Sequence, residues 1–301
     1  MNIFVIIVTY NAMRRQWAKK CLDSLLQSPC PLHIIVVDNQ STDDTQEFIP
    51  SHYPNIIWLP QDKNLGFGQG NNIGIKYALE HEADYLLLLN QDATLQDSTI
   101  QKMIEVSDGH SLLSPLQLNG DGSSIDEMFH YQTLNKARNR MLDDLLVRQS
   151  LQKIYPVGEF PAACWFLPVS IIKQIGGFNP LFFHYSEDNN YYQRLMYHGI
   201  KSYIVPHAKM FHDRSVHGNM TYYDKTHMWR NMLLIATNIN KSFGQIIKEE
   251  LGFLPRCYFR SLPKGKYIPG TFLVNSFRLL GLIPKIIISR KKEKQLGLTW
   301  L

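Results

Sequence analysis

Two hydrophobic patterns alternate along the first hundred residues. Residues 4–10, 33–38, 56–59 and 85–89 are nearly unbroken apolar runs, rich in Ile, Val and Leu. Runs this short, bounded by polar residues, predict strands buried on both faces. Between them the period changes. From Arg14 to Gln27 the residues Trp17, Cys21, Leu22, Leu25 and Leu26 fall on one helical face. Ser41-Thr42-Asp43-Asp44 offers a helix N-cap with acids in the first turn, and residues 71–81 read as a third helix. The order β-α-β-α-β-α-β predicts an α/β protein with a parallel sheet and right-handed crossovers.

The second hundred residues read differently. Residues 107–135 are turn-rich, with Asp108-Gly109 and Asn119-Gly120-Asp121-Gly122, and residues 138–151 read as a helix or a mobile segment. A strand is predicted over 164–168 and a short helix over 169–175, stopped by Gly176-Gly177. Ser186 is the expected N-cap of a helix over 187–198 that Gly199 ends, and 202–205 is a further strand. A chain of 301 residues then divides into a large domain, 1–240, with halves of about 1–105 and 106–240, and an extension, 241–301.

Charge sharpens that division. The net charge of +5 hides 12 Lys/Arg against 3 Asp/Glu in residues 241–301, while residues 1–240 are net acidic. An anionic partner is therefore expected for the extension alone. Residues 268–289 are apolar but interrupted by Arg278, Pro284 and Lys285, and Arg290-Lys291-Lys292-Glu293-Lys294 follows. A spanning helix needs about 20 mostly apolar residues, so the segment reads as interfacial attachment to an anionic membrane. A helical bundle packed on the domain, or on a second copy in a homodimer, is the competing reading. The four cysteines form no CxxC pair, and no secretory signal opens the chain, so a cytoplasmic location, peripheral on the inner face of a membrane, is expected. No nucleic-acid partner is expected.

Candidate chemistry gathers at the carboxyl ends of the strands. Asp92 closes Tyr85-Leu86-Leu87-Leu88-Leu89-Asn90-Gln91-Asp92, the edge where open α/β sheets place ligands, and a charge there calls for a cation. Asp38 ends the second strand in the same way and suggests a shared crevice, or simply starts a turn. Asn64-Leu65-Gly66-Phe67-Gly68-Gln69-Gly70-Asn71-Asn72 precedes a helix, where glycines admit a phosphate or merely make a turn. Glu187 and Asp188 open a helix behind Phe182, Phe183 and Tyr185; the dipole favours carboxylates there, able to take a proton from a hydroxyl or only to cap. His207, His212 and His217 fall in a turn-prone stretch, and His212 gains a metal role only if it faces Asp92.

Five of these segments, in this order, resemble family-2 glycosyltransferases of the GT-A fold, and rhamnosyltransferase-like bacterial members most. They are Val8-Thr9-Tyr10-Asn11, Val36-Val37-Asp38-Asn39-Gln40-Ser41-Thr42-Asp43, the glycine loop 64–72, Leu89-Asn90-Gln91-Asp92-Ala93, and Gly176-Gly177-Phe178 followed by Phe182-Phe183 and Glu187-Asp188. The resemblance implies a Rossmann-like central sheet flanked by helices, and inverting, metal-dependent transfer of a sugar from a nucleotide-sugar donor to a glycan or lipid-linked acceptor in surface polysaccharide synthesis. It places Thr9, Tyr10, Asn11, Asp38, Asn64, Gly66, Asn71 and Gln91 at the nucleotide. It places Asp92 and His212 at Mg²⁺ or Mn²⁺, Asp188 as the base with Glu187 beside it, and Trp165, Tyr185 and Arg194 at the acceptor. The metal motif carries one carboxylate, and Asp213-Arg214-Ser215 stands where the family usually shows a glycine, so Arg214 is an alternative contact for the diphosphate. A sugar nucleotidyltransferase is a weaker fit, because Tyr10-Asn11-Ala12-Met13 is no basic glycine loop. A non-catalytic nucleotide-sugar scaffold at the membrane is the other alternative.

Overall fold

The computed structural model describes residues 1–134, 140–214, 225–261 and 269–301. The first four apolar runs form strands β1 (Ile3–Thr9), β2 (His33–Asp38), β3 (Ile57–Pro60) and β4 (Tyr85–Asn90). They alternate with α1 (Trp17–Leu26), α2 (Thr45–His52) and α3 (Phe67–Glu80). The strands pair in parallel in the order β3-β2-β1-β4. Most interior positions of β1, β2 and β4 are enclosed, while the edge strand β3 is only partly covered, and each buried Leu, Ile or Val there contributes roughly 1.5–3 kcal/mol. β1 lies between β2 and β4, so the ends of those two strands are not direct neighbours and Thr9 stands between Asp38 and Asp92.

The chain continues through β5 (Ala93–Leu95), α4 (Thr99–Val106) and β6 (Leu112–Asn119). After the single turns α5 (Glu127–Phe129) and α6 (Met141–Asp143) come β7 (Tyr155–Val157), β8 (Cys164–Pro168) and α7 (Val169–Ile175). Then follow α8 (Glu187–Tyr197), β9 (Ser202–His212), α9 (Lys225–Thr237), α10 (Phe243–Ser261), α11 (Pro269–Gly281) and α12 (Ile283–Glu293). Among the described residues nine strands make one sheet, β3-β2-β1-β4-β8-β6-β9-β5, with β7 beside β9. β8 runs antiparallel to β4 and β6, while β6 and β9 are parallel. Apolar clusters fill both faces.

Two expectations change. The turn-rich reading of 107–135 hid β6, whose Ser114-Pro115 breaks the apolar alternation; the ladder to β9 shifts register just after Pro115. β9 does not stop at Val205 but runs through Pro206 to His212, so His207 and His212 lie on a strand rather than in a turn. His217 and the start of the 138–151 segment lie outside the described residues.

The glycine loop serves packing. Gly66 has φ +81° and a Cβ on it would fall on the Phe183 carbonyl, while a Cβ on Gly74 would strike Ile6 of β1. Small residues therefore let α3 lie directly on the sheet and let the loop before it touch the segment leading into α8.

The end of the chain is fastened to the domain. Arg290 is buried and donates to the carbonyls of Ala236, Asn238 and Lys241. Asn179 donates to Ser289 Oγ and Glu293 Oε1, each at 2.8 Å, and Gly177 N donates to the Thr299 carbonyl at 2.9 Å. Two members of the basic cluster, Arg290 and its companion Glu293, are thus interior groups and not part of a basic surface. No single helix among the described residues is long and apolar enough to cross a membrane; α11 and α12 form a pair bent by 63°.

Candidate active site

The loop after β4 is tied to the loop after β1 by one amide. Gln91 Oε1 accepts from Tyr10 N at 2.8 Å and its Nε2 donates to Tyr10 O at 3.2 Å. The amide thus mimics a backbone pair where β1 and β4 end, and it leaves the Tyr10 ring exposed. Asn11 takes φ +51° and accepts from Thr42 N at 2.7 Å, while its own N donates to Ser41 Oγ at 2.9 Å. Asp38 is fully buried and accepts from Thr9 Oγ1, Ser41 N and Ser41 Oγ. Its role in this structure is to brace the two loops, with no oxygen presented outward. Asn71 is likewise enclosed and bonded to Phe67 O inside α3. Asn64 accepts from Gly66 N at 2.9 Å and is half-buried.

β9 delivers His212 to Asp92. Ala93 pairs with His212 across β5 and β9, and Asp213 N donates to the Asp92 carbonyl at 2.9 Å. His212 Nε2 stands 3.2 Å from Asp92 Oδ1. Its Nδ1 is 3.5 Å from Asp126 Oδ2, an electrostatic contact too long for a firm hydrogen bond. Arg214 Nε donates to the same Asp126 oxygen at 2.6 Å. Burial opposes charge on Asp92, but His212 and Arg214 more than offset it and hold the carboxyl below its usual range. The same balance brings Asp126 down to about 2, and the two carboxylates raise the His212 imidazole against its burial.

Asp126 is the residue that sequence reading missed. It sits in the loop after β6, and Asp126 Oδ1 also caps α5 through Phe129 N at 2.9 Å. Nothing in Ser124-Ile125-Asp126 marks it, because its partner is 86 positions away.

Among the described residues no three His, Cys, Asp or Glu side chains converge on a metal position. A divalent ion fits the donor set in a narrower way. Asp92 keeps 12% of its side chain exposed, and Asn90 Oδ1 is buried without a partner while its amide nitrogen lies 3.4 Å from His212 Nε2. One carboxylate, one imidazole and one orphaned amide oxygen suit a cation that takes its remaining ligands from a bound diphosphate and water.

The acid pair opens α8 after two residues in the left-handed region, Tyr185 (φ +65°) and Ser186 (φ +71°). Ser186 is the N-cap by position but makes no side-chain cap bond. Such strain persists only where packing enforces it, and two residues earlier Phe183 O lies against Gly66. Glu187 is buried with one carboxylate oxygen unpartnered; burial first, then Asp188, pushes it well above the ordinary glutamate range. Asp188 is half-buried and is raised by burial and by Glu159 against the bond from Asn189 N. Tyr185 joins the two clusters. Burial raises its phenol, and the charges of Arg214, Arg230, Asp92 and Glu187 all act on it. The Arg230 guanidinium lies 4.6 Å from the centre of its ring.

Two residues expected at the acceptor are elsewhere. Trp165 is fully enclosed among Phe160, Phe178, Tyr191 and Tyr192. Arg194 is fully enclosed at the far half of α8, where it donates to Gly177 O and faces the charge of Glu293. Neither has surface to offer a ligand. A separate hollow of about 690 Å³, with Lys102, Lys153, His207 and Lys209 on its walls, shares no residue with the site.

The sequence model of glycosyl transferase family 2 matches residues 4–176, the stretch that carries Tyr10, Asp38 and Asp92. The chain belongs to this family. This glycosyltransferase is 26% identical over 234 residues to the N-acetylglucosaminyl-diphospho-decaprenol L-rhamnosyltransferase of Mycobacterium tuberculosis, covering 70% of this chain and 76% of that one. Its fold is similar to that of S. aureus TarS 1–349 in complex with UDP-GlcNAc, at 16% identity and TM-score 0.59, over 98% of this chain and 88% of TarS 1–349. It is also similar to GalNAc-T7 with UDP, GalNAc and Mn²⁺, at 14% identity and TM-score 0.63, over 100% of this chain and 55% of that one. The glycosyltransferase fold is thus an α/β GT-A domain with helices at its C-terminal end.

Proposed function

We propose that this glycosyltransferase moves a sugar from a nucleoside-diphosphate sugar to a hydroxyl of a glycan carried on a lipid diphosphate, with inversion at the anomeric carbon. The observation that carries the reading is the His212–Asp92 pair, 3.2 Å apart at the carboxyl end of β4, in a chain that the family-2 model matches over residues 4–176. The lipid diphosphate is suggested by the acceptor in the name of the mycobacterial relative.

In this reading Asp188 is the base, because it retains exposure that Glu187 lacks. It takes the proton of the acceptor hydroxyl; the oxygen forms a bond to the anomeric carbon as the bond to the diphosphate breaks, and the electron pair leaves on the diphosphate. Glu187, buried beside it, raises the proton affinity of the pair. Asp92, His212 and Asn90 would hold Mg²⁺ or Mn²⁺, whose charge neutralises the leaving group. Arg214, kept in place by Asp126, adds a second positive charge to the same side. Tyr10 offers its ring to the base of the nucleotide, on loops that Gln91, Asn11, Asp38 and Thr9 hold in register. Positioning supplies much of the acceleration.

The enzyme is proposed to work at the cytoplasmic face of a membrane. Leu273, Val274, Phe277, Leu280, Ile287 and Ile288 of α11 and α12 are exposed, an apolar area of the kind that marks an interaction surface. Lys285, Lys291 and Lys292 beside them favour anionic lipid; a homodimer through this face is the competing occupant.

The test is turnover. Nucleotide sugars are screened for stabilisation of the protein with and without Mn²⁺, and the best donor is incubated with lipid-linked acceptor. Acceptor-dependent release of the nucleoside diphosphate supports the reading; donor binding without release in any acceptor would leave a binding scaffold instead.

A further inference from the structure

The flank between the acid pair and the apolar face carries two arginines that the transfer chemistry does not use. Arg230, on α9, lies over the Tyr185 ring, and its charge acts on Glu187. Its neighbour Trp229 is covered by Arg278 of α11, whose guanidinium is 3.9 Å from the indole centre. Among the described residues neither arginine has a carboxylate within ion-pair distance. A guanidinium stacked on a ring keeps its N–H edge free for oxygen. Beyond Arg278 the same helix exposes Leu273, Val274, Phe277 and Leu280, while Phe182, Leu233, Ala236 and Ile286 fasten the layer from beneath.

A chain of contacts therefore runs from the acid pair through Tyr185 and Arg230 to the neighbouring Trp229 and Arg278, and Arg278 shares α11 with the exposed apolar face. A lipid-linked acceptor has the same order: reacting hydroxyl, sugar, diphosphate, hydrocarbon. We propose that Arg230 and Arg278 seat the diphosphate of the acceptor, with its chain lying on the α11 face. The proposal rests on the transferase reading and adds the acceptor subsite to it. Two guanidiniums match the two negative charges of a diphosphate diester. They hold the sugar at a fixed distance from Asp188, and stacking keeps both arginines in place before the acceptor arrives.

Farnesyl diphosphate is the probe, titrated by calorimetry against the full chain with its donor pocket saturated by UDP. Farnesol and inorganic pyrophosphate are the controls. Farnesyl diphosphate is expected to bind more tightly than either control. Arg278→Gln and Arg230→Gln should each weaken it roughly tenfold or more, the size of a lost charge-assisted hydrogen bond. Arg278→Lys should recover part of the loss, and UDP affinity should be unchanged throughout. Unchanged binding in both glutamine variants overturns the proposal, as does pyrophosphate binding as well as the farnesyl ester. UDP binding and turnover would then remain, so the transferase reading survives such a failure. Arg278 is exposed, so its substitution leaves the core intact.

Discussion

Asp92, partly buried, and Glu187, fully buried, are carboxylates whose charges both act on Tyr185, and their surroundings drive them apart. Asp92 meets an imidazole and lies near a guanidinium, and stays ionised below the usual range. Glu187 is buried beside another acid, which outweighs the charge of Arg230, and its proton is held well above that range. The first environment suits a fixed negative charge that orients cations. The second suits a group that keeps its proton and raises the proton affinity of the neighbouring Asp188. Two acids whose environments separate their proton affinities are a recurrent sign of divided labour in catalysis. Here the division follows the fold: the fixed charge lies at the end of a strand in the parallel half, the raised acid at the start of α8 behind the mixed half, beside Asp188.

The hardest blow to this contrast is Asp188→Asn. Transfer should fall by about 10²–10⁴-fold, the range of general-base catalysis, with donor affinity unchanged. Near-normal turnover would move the base elsewhere. Next comes Glu293→Gln. Removing a buried carboxylate that accepts from Asn179 and whose charge acts on Arg194 should lower stability, and chemical denaturation should show a loss of about 1–3 kcal/mol. No loss would mean that α12 is merely laid on the domain. Asp92→Ala should then cost roughly 10–100-fold in affinity for Mn²⁺; an identical metal titration in the variant would remove Asp92 from the cation.

The smallest effect sharpens the contrast by sign. The folded proton affinity of Glu187 is raised, so its contribution to stability is complete below 4.5, its ordinary value, and is lost as pH rises through the folded pKa. Glu187→Gln should therefore gain stability over the parent at pH 8 and nothing at pH 4. Asp126 runs the other way. Its folded value of about 2 stabilises the native state above 3.8, and that support is lost as pH falls toward 2. Asp126→Asn should accordingly lose stability at neutral pH and little at pH 2. Parallel pH profiles for the two variants would contradict the assigned environments.

The parallel half was legible because its strands are buried on both faces. Apolar runs at 33–38 and 85–89 leave little choice of structure, and Asp38 and Asp92 follow from where those runs end. The mixed half was less so. β6 carries Ser114, Pro115 and Gln117 inside the sheet, where Gln117 Nε2 bonds Pro161 O at 3.0 Å; a polar residue satisfied by a distant carbonyl looks like a turn in a linear reading. The extension of β9 past Pro206 was hidden for the same reason. Trp165 and Arg194 were placed at the acceptor by analogy, yet their size and charge are spent inside: one fills an aromatic core and the other meets Glu293, a partner 99 positions away. Asp126 had no local signal, because its meaning arises only when β9 brings His212 and Arg214 beside it.

The fastening of α12 to the domain through Asn179, Glu293 and Arg290 has a practical side for protein engineers. Exchanging the last helices with those of another transferase imports a hidden requirement. The graft must bring a carboxylate for Arg194 and a carbonyl for the Gly177 amide. A chimaera joined at residue 240 without them would inherit a hole with a charge in it.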